Sequence, residues 1–311
     1  MILWLYQKFI IEGKIVKIVK PKMLQKGDCI GIIAPCGCFS DEIRLEKGIV
    51  FLENEGFKVK VSEQLFAQKR YLAGDDDIRV GEIEKFFADD EVDGIICVRG
   101  GFGAIRIVDK INYEIIKSNP KVFCGFSDVT ALSAMFLKRA GLVTYSTPMI
   151  NGDFGNDISD FTFQNFKKAL MSDDVLKFDG NVLKEGCAQG ISFGGNLATL
   201  TSLCGVDFLP EKDFILFVED LNEPAYKIDR MLTQLSNIEV FCEHIKGVVF
   251  GEFSDVDNYD YLQEIKSEFA QQHNIPALDG LKITHSKDKI TVPIGESAKI
   301  ENGKFILRCQ V

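Results

Sequence analysis

Residues 121–141 read Lys-Val-Phe-Cys-Gly-Phe-Ser-Asp-Val-Thr-Ala-Leu-Ser-Ala-Met-Phe-Leu-Lys-Arg-Ala-Gly. The pattern predicts a buried strand over Val122–Gly125, a sharp turn at Ser127 and a helix that ends at Gly141. There the Ser127 hydroxyl stands at the end of a sheet, beside a helix N-terminus that favours developing negative charge. A nucleophile is useful at such a place, but a serine that only caps the helix gives the same pattern. Val129 replaces the last glycine of the Gly-x-Ser-x-Gly nucleophile elbow.

The first half of the chain alternates between strand and helix patterns. We predict strands over Cys29–Pro35, Phe57–Val61, Gly94–Val98, Val122–Gly125 and Leu142–Tyr145, and helices over Asp41–Glu55, Asp77–Asp89, Ala104–Lys117 and Phe161–Met171. Because these strands are continuously apolar, we expect a mostly parallel, doubly wound α/β sheet of Rossmann or flavodoxin type, covered on both faces. Ligands of such sheets bind at the carboxyl ends of the strands.

The second half of the chain has a different character. It is predicted to contain strands at Ile215–Val218 and Gly247–Phe250, a helix at Tyr226–Ser236, and a hairpin that turns at Asn302-Gly303. We therefore divide the chain into an N-terminal extension (1–21), an α/β domain (22–171), a polar, irregular linker (172–186) and a smaller β-rich domain (187–311).

Composition excludes several classes of partner. The 311 residues are 46% hydrophobic and carry a net charge of -10, which argues against nucleic acid or an anionic membrane as the main partner. The apolar start of the chain lacks a basic region and a small-residue cleavage site, so we expect a cytoplasmic protein. Cys36-Gly-Cys38 lacks the spacing and histidine partner of a zinc site, and we predict neither metal nor organic cofactor.

A glycine-rich loop follows the strand at Gly94–Val98. It reads Arg99-Gly-Gly-Phe-Gly103, and its glycines would let backbone N–H groups approach an anion closely. The loop is neither a P-loop nor a dinucleotide fingerprint. We interpret it either as a tight turn or as one half of an oxyanion hole. The backbone N–H of Asp128, directly after Ser127, would supply the other half, although Asp128 could simply favour the start of the helix.

Acids and histidines in the second half could complete a catalytic triad. Glu219 and Asp220 close a buried strand, and Glu219 is the nearer of the two to the strand interior; solvated loop acids are the alternative interpretation. The chain has three histidines, and His285, in a polar loop between apolar segments, is the best located to serve as a base for Ser127. A surface or structural role for this histidine stays open.

Motifs spread over the chain resemble those of the LD-carboxypeptidases, serine peptidases that include murein tetrapeptide carboxypeptidases and microcin C immunity peptidases. The match runs from Lys22 to Ile300. The matching motifs are Gly27-Asp28, Arg70-Tyr-Leu-Ala-Gly74, Val98-Arg-Gly-Gly-Phe-Gly103, Gly125-Phe-Ser-Asp128, Gly194-Gly-Asn-Leu197, Val218-Glu-Asp220, Tyr226-Lys-Ile-Asp-Arg-Met231, and His285 before Val292-Pro-Ile-Gly295.

The resemblance implies a Ser127–Glu219–His285 triad, with oxyanion donors from the N–H groups of Gly101 and Asp128. The site would lie in the cleft between the domains, and Arg99 would bind the free carboxylate of the substrate. The resemblance also implies removal of the terminal D-alanine from murein tetrapeptide in peptidoglycan recycling, and a homodimer.

Two other functions remain open. The microcin C type cleaves peptidyl-adenylates and tends to carry a tryptophan before its second domain. The only tryptophan here is Trp4, although Phe178 could stack on a base. A non-catalytic peptide- or sugar-binding relative is the second alternative. The family usually has Gly-Pro where this chain has Ser146-Thr147-Pro148, and we expect this departure to reshape the pocket wall.

Overall fold

The computed structural model describes residues 16–308. The strands in chain order are β1 (Cys29–Ile33), β2 (Lys58–Val61), β3 (Gly94–Cys97), β4 (Val122–Cys124), β5 (Thr144–Ser146), β6 (Leu176–Asp179), β7 (Asn181–Lys184), β8 (Ala188–Asn196), β9 (Phe214–Leu221), β10 (Ile245–Ser254), β11 (Ala277–Asp279), β12 (Val292–Ile294), β13 (Ser297–Glu301) and β14 (Lys304–Leu307).

The α-helices are α1 (Glu42–Asn54), α2 (Asp76–Ala88), α3 (Tyr113–Ser118), α4 (Thr130–Met135), α5 (Asp160–Met171), α6 (Leu197–Ser202), α7 (Ala225–Ser236), α8 (Glu239–His244) and α9 (Tyr259–Gln272). Within the described residues, no helix has both the length and the apolar character needed to cross a membrane.

Residues 16–308 form two sheets. The first has the order β12-β5-β4-β3-β1-β2, and its five strands from the first half of the chain are parallel. The second has the order β6-β14-β13-β8-β9-β10-β11-β7, with a parallel centre from β8 to β11 and antiparallel strands on both sides. This architecture confirms the predicted fold class, because β1, β3 and β4, in the middle of the first sheet, are buried as in other doubly wound sheets, and only the edge strand β2 is partly exposed.

The interval predicted to be an irregular linker is structured. Residues 172–186 contain β6 and β7, the two edge strands of the second sheet, so that prediction was wrong. Each strand has only four residues, half of them polar, as is typical of edge strands that face solvent, and this made them look like a loop in the sequence.

The C-terminal half also contributes to the first sheet. β12 pairs antiparallel with β5, with Val292 opposite Ser146, so the boundary predicted at 187 does not separate the two sheets. Pro293 lies in this edge strand, where a residue without an N–H is tolerated. The pairing of β12 with β5 therefore joins the two halves of the chain beside the candidate site.

The helix predicted over Ala104–Lys117 is interrupted. A single 3-10 turn at Ala104–Arg106 is followed by turns, and α3 begins only at Tyr113. The Asn112 side chain accepts the N–H of Glu114 and caps α3, so the chain starts a new helix there.

The predicted N-terminal extension, 1–21, lies partly outside the described residues. Its described part packs on the first sheet: the Val19 N–H donates to Gly141 O at 2.7 Å, and Val19 O accepts from Val143 N at 3.0 Å. Residues 16–21 therefore belong to the α/β unit.

Candidate active site

Ser127 lies in a strained turn directly after β4. Its φ is +60°, in the left-handed region that non-glycine residues rarely adopt. A 3-10 turn at Ser127–Val129 leads into α4, and the helical segment ends at Gly141 as predicted. Gly125 permits the tight turn, because a Cβ there would lie 2.7 Å from Val129 Cγ1. Strain of this kind is typical of functional positions that the surrounding fold holds in place.

The glycine loop after β3 lies against this turn, and Gly100 makes the closest approach. A Cβ on Gly100 would lie 3.1 Å from Ser127 Oγ and 3.2 Å from the Asp128 nitrogen. Gly101, the glycine predicted to provide a donor, is exposed and has a φ of +108°. Because Gly100 has no side chain, the glycine loop packs directly against Ser127 Oγ and the Asp128 nitrogen.

The Asp128 side chain ties the glycine loop to the Ser127 turn. Its Oδ2 accepts the N–H of Ala104 at 2.9 Å, and the carboxyl group is buried, which raises its pKa. Arg79, fully buried, donates to Gly103 O at 2.8 Å from the other side. From the sequence we expected only that Asp128 starts the helix and donates its backbone N–H. The contact of its side chain with Ala104 was not expected, because the two residues are 24 positions apart.

The Arg99 guanidinium lies along the same loop. Its Nη1 donates to Cys38 O at 3.3 Å, and Nη2 lies 3.6 Å from the position of a Cβ on Gly101. The Arg99 cation is thus held near the proposed oxyanion donor, with the side chain half-buried.

Glu219 and His285 are hydrogen-bonded to each other. Glu219, near the carboxyl end of β9, is only 3% exposed, and its Oε2 lies 2.8 Å from His285 Nδ1. Because an ionised carboxylate only accepts hydrogen bonds, Nδ1 carries the hydrogen of this bond, and in the neutral imidazole Nε2 is then the acceptor. A histidine oriented by a buried carboxylate is the arrangement that a general base needs.

The two halves of the site adjoin through Phe126. Its ring packs edge-on against the His285 imidazole, with centroids 4.9 Å apart. Phe126 directly precedes Ser127, so the imidazole lies beside the serine turn. Among the described residues, the Ser127 hydroxyl makes no hydrogen bond to His285. In ligand-free active sites such hydrogen bonds are often long and tighten only when substrate binds.

The remaining histidines and the second acid have other partners. His244 Nδ1 lies 3.2 Å from Asp213, and His273 Nε2 lies 2.8 Å from Ser236 Oγ. Asp220 accepts from Asn196 Nδ2 at 3.0 Å and from two backbone N–H groups, and burial raises its pKa to about 6. Asp220 fixes the β8–α6 turn and does not contact His285.

The Ser146-Thr147 pair, where the family usually has Gly-Pro, lies close to Phe126 and Glu219. Both residues are buried, and Thr147 Oγ1 is 3.0 Å from Thr291 Oγ1, which links β5 to the segment that leads into β12. They line a small cavity with Phe126 and Glu219. Thr147, which is part of this departure from Gly-Pro, thus adds a hydrogen bond between the first and second halves of the chain near Glu219.

Comparison with known proteins identifies the class. Residues 30–147 match the model of the LD-carboxypeptidase N-terminal domain, and residues 189–300 match that of the C-terminal domain. A Bacillus subtilis protein described as a probable murein peptide carboxypeptidase is 35% identical, with 92% of each chain covered.

Two solved structures share the fold. The muramoyltetrapeptide carboxypeptidase from Oxalobacter formigenes has a TM-score of 0.81 at 31% identity, covering 90% of this chain and 97% of that one. An MccF-like protein from Bacillus anthracis has a TM-score of 0.85 at 28% identity, covering 93% and 99%.

The fold and the matched domains define a two-part α/β peptidase. The chain belongs to the LD-carboxypeptidase family.

Proposed function

We propose that this peptidase removes the terminal D-alanine from murein tetrapeptide, with Ser127 as nucleophile, His285 as base and Glu219 as the orienting acid. The observation that carries the proposal is the 2.8 Å contact between His285 Nδ1 and the buried Glu219, beside the strained Ser127 turn. The nucleophile comes from the first sheet. Glu219 lies in a strand of the second sheet, and His285 lies in the loop between β11 and β12.

The reaction follows from these positions. His285 Nε2 takes the hydroxyl proton as Ser127 Oγ forms a bond to the peptide carbonyl carbon. Glu219 stabilises the imidazolium that results. The tetrahedral intermediate then loses the D-alanine nitrogen, which accepts the proton from His285. Water, deprotonated by the same imidazole, attacks the acyl-enzyme and releases the tripeptide and Ser127.

The developing oxyanion would be bound by the backbone N–H groups of Gly101 and Asp128. The close packing of the glycine loop, at Gly100, against Ser127 Oγ and the Asp128 nitrogen supports this assignment. Each such donor contributes about 3 kcal/mol to lowering the barrier. Arg99, held along the same loop, is proposed to bind the free carboxylate of the substrate.

The substrate is tested by comparing candidate ligands with the wild-type protein. We expect D-alanine release from murein tetrapeptide, and little cleavage of a peptidyl-adenylate analogue. The murein assignment is supported by the Bacillus subtilis and Oxalobacter formigenes relatives, and the alternative by the MccF-like structure. Preferential cleavage of the adenylate analogue would replace the murein proposal, and tight peptide binding without any cleavage would favour a binding protein.

Gly100→Ala tests the oxyanion site. The added methyl group would lie 2.9 Å from Ser127 Cβ, 3.1 Å from Ser127 Oγ and 3.2 Å from the Asp128 nitrogen, so it would push Ser127 and the Asp128 N–H out of position. We expect kcat for D-alanine release to fall by about 10²–10³-fold, the effect of losing one donor.

A second glycine-to-alanine variant provides the control. A Cβ on Gly81, in α2, meets nothing within 4 Å, so Gly81→Ala should leave kcat unchanged and slightly raise the melting temperature. Full activity of Gly100→Ala would show that the oxyanion does not lie beside Gly100.

A further inference from the structure

The loop that carries His285 crosses a bulge in β10. The pairing of β10 with β9 shifts register between Phe250 and Phe253, and Gly251 and Glu252 occupy the shift. A Cβ on Gly251 would lie 2.3 Å from Ile283 O, so only glycine lets the loop pack this closely. Bulges of this kind re-aim a side chain beside a functional site.

The re-aimed side chain is Glu252, and it contacts the loop on both sides of His285. Its Oε2 accepts the Ser286 hydroxyl at 2.8 Å and also accepts the Thr284 hydroxyl. Its backbone N–H donates to Ile283 O at 2.9 Å. Glu252 therefore holds Thr284 and Ser286, the two neighbours of His285, and also Ile283.

The loop has little regular structure of its own. Between the end of β11 at Asp279 and the start of β12 at Val292 the backbone forms no helix or strand. The distal part is held elsewhere, because Thr162 Oγ1 of α5 donates to Lys287 O at 2.8 Å and accepts from Lys289 N at 2.9 Å. The part next to the imidazole is held by Glu252, by the Glu219 hydrogen bond, by the Phe126 ring and by the bond from the Ser286 N–H to Thr284 Oγ1 at 2.8 Å.

We propose that Glu252 is a positioning residue for His285: it fixes the backbone that carries the imidazole, while Glu219 orients the ring. The inference rests on the proposed triad. It adds a second carboxylate that acts on the base through Thr284 and Ser286 without touching the substrate. By analogy, outer partners that orient metal-ligating histidines contribute about 10–100-fold to metal affinity or activity.

Glu252→Ala is the direct test, because it removes the oxygen that accepts both hydroxyls. We expect kcat for D-alanine release to fall by about 10–100-fold with KM nearly unchanged, since the base is misplaced and the substrate contacts are kept. Glu252→Gln should recover most of the activity, because its amide oxygen can accept both hydroxyls. Glu268→Ala, at an exposed position of α9, is the control and should behave as wild type.

A second readout does not depend on catalysis. The Nδ1–H of His285 that donates to Glu219 should give a low-field proton signal in NMR, assigned by its loss in His285→Gln. We expect the signal to weaken in Glu252→Ala and to persist in Glu252→Gln. This comparison decides the role of Glu252 even if the wild-type protein proves to cleave no peptide.

The same bonds can be removed from the loop side. If Glu252→Ala fails to fold, the double variant Thr284→Val, Ser286→Ala should show the same fall in kcat and the same weakened signal. A kcat equal to that of wild type together with an intact signal, in either the Glu252→Ala or the double variant, would overturn the proposal.

Discussion

Replacing Ser127 with alanine is expected to reduce kcat for D-alanine release by about 10⁶-fold, the loss that follows removal of a nucleophilic serine in other peptidases. Binding of tetrapeptide should persist, because the backbone donors and Arg99 remain. D-alanine release and peptide binding should be measured on the same preparation.

Ser133→Ala is the matched control for this variant. Ser133 lies in α4, in the helix that follows Ser127, and its buried hydroxyl has no partner among the described residues. Removal of an unsatisfied buried hydroxyl is neutral or stabilising, so Ser133→Ala should retain full activity and an equal or higher melting temperature. A Ser127→Ala protein with wild-type kcat would exclude Ser127 as the nucleophile.

Replacing Glu219 with glutamine is expected to lower kcat by about 10⁴-fold while the backbone stays in place. The glutamine amide can present an N–H group to His285 Nδ1, which then must accept, so the hydrogen moves to Nε2 and the base is lost. The contact is 2.8 Å in a site where Glu219 is 3% exposed, so solvent does not replace it. Steady-state kinetics with the tetrapeptide measure the effect.

A variant of the neighbouring acid, Asp220, shows whether the effect of Glu219→Gln is on catalysis or on stability. Asp220 is also buried but accepts its hydrogen bonds from Asn196 and from the N–H groups of Ala198 and Leu221. Asp220→Asn should therefore lower the melting temperature while changing kcat far less than Glu219→Gln. If both variants lost activity in proportion to their loss of stability, Glu219 would have a structural role only.

Local patterns in the sequence were enough for the elements that carry the proposed site. The apolar run before Ser127 and the helix-forming run after it predicted the strand, the turn and the end at Gly141, because the signals lie within a few residues of each other. Glu219 was selected because it closes an apolar strand. Its contact with His285 spans 66 residues and could be anticipated only through the family resemblance.

Features that depend on distant partners were not predictable. Glu252 reaches the His285 loop only because β10 bulges after Phe250, and a bulge leaves no clear mark in a single sequence. Gly100, rather than Gly101, packs closest to Ser127, because the pairing of β3 with β4 decides which residue of the glycine loop lies beside the Ser127 turn. β6 was mistaken for linker because its side chains alternate between the sheet and solvent over only four residues.

The most direct test of the triad is labelling with a fluorophosphonate, which reacts with serines activated by a neighbouring base. Intact-mass and peptide mapping should place one adduct on Ser127 in the wild-type protein, and the labelling rate should collapse in His285→Gln although the serine remains. An adduct on another residue, or equal labelling of Ser127 with and without His285, would contradict the account.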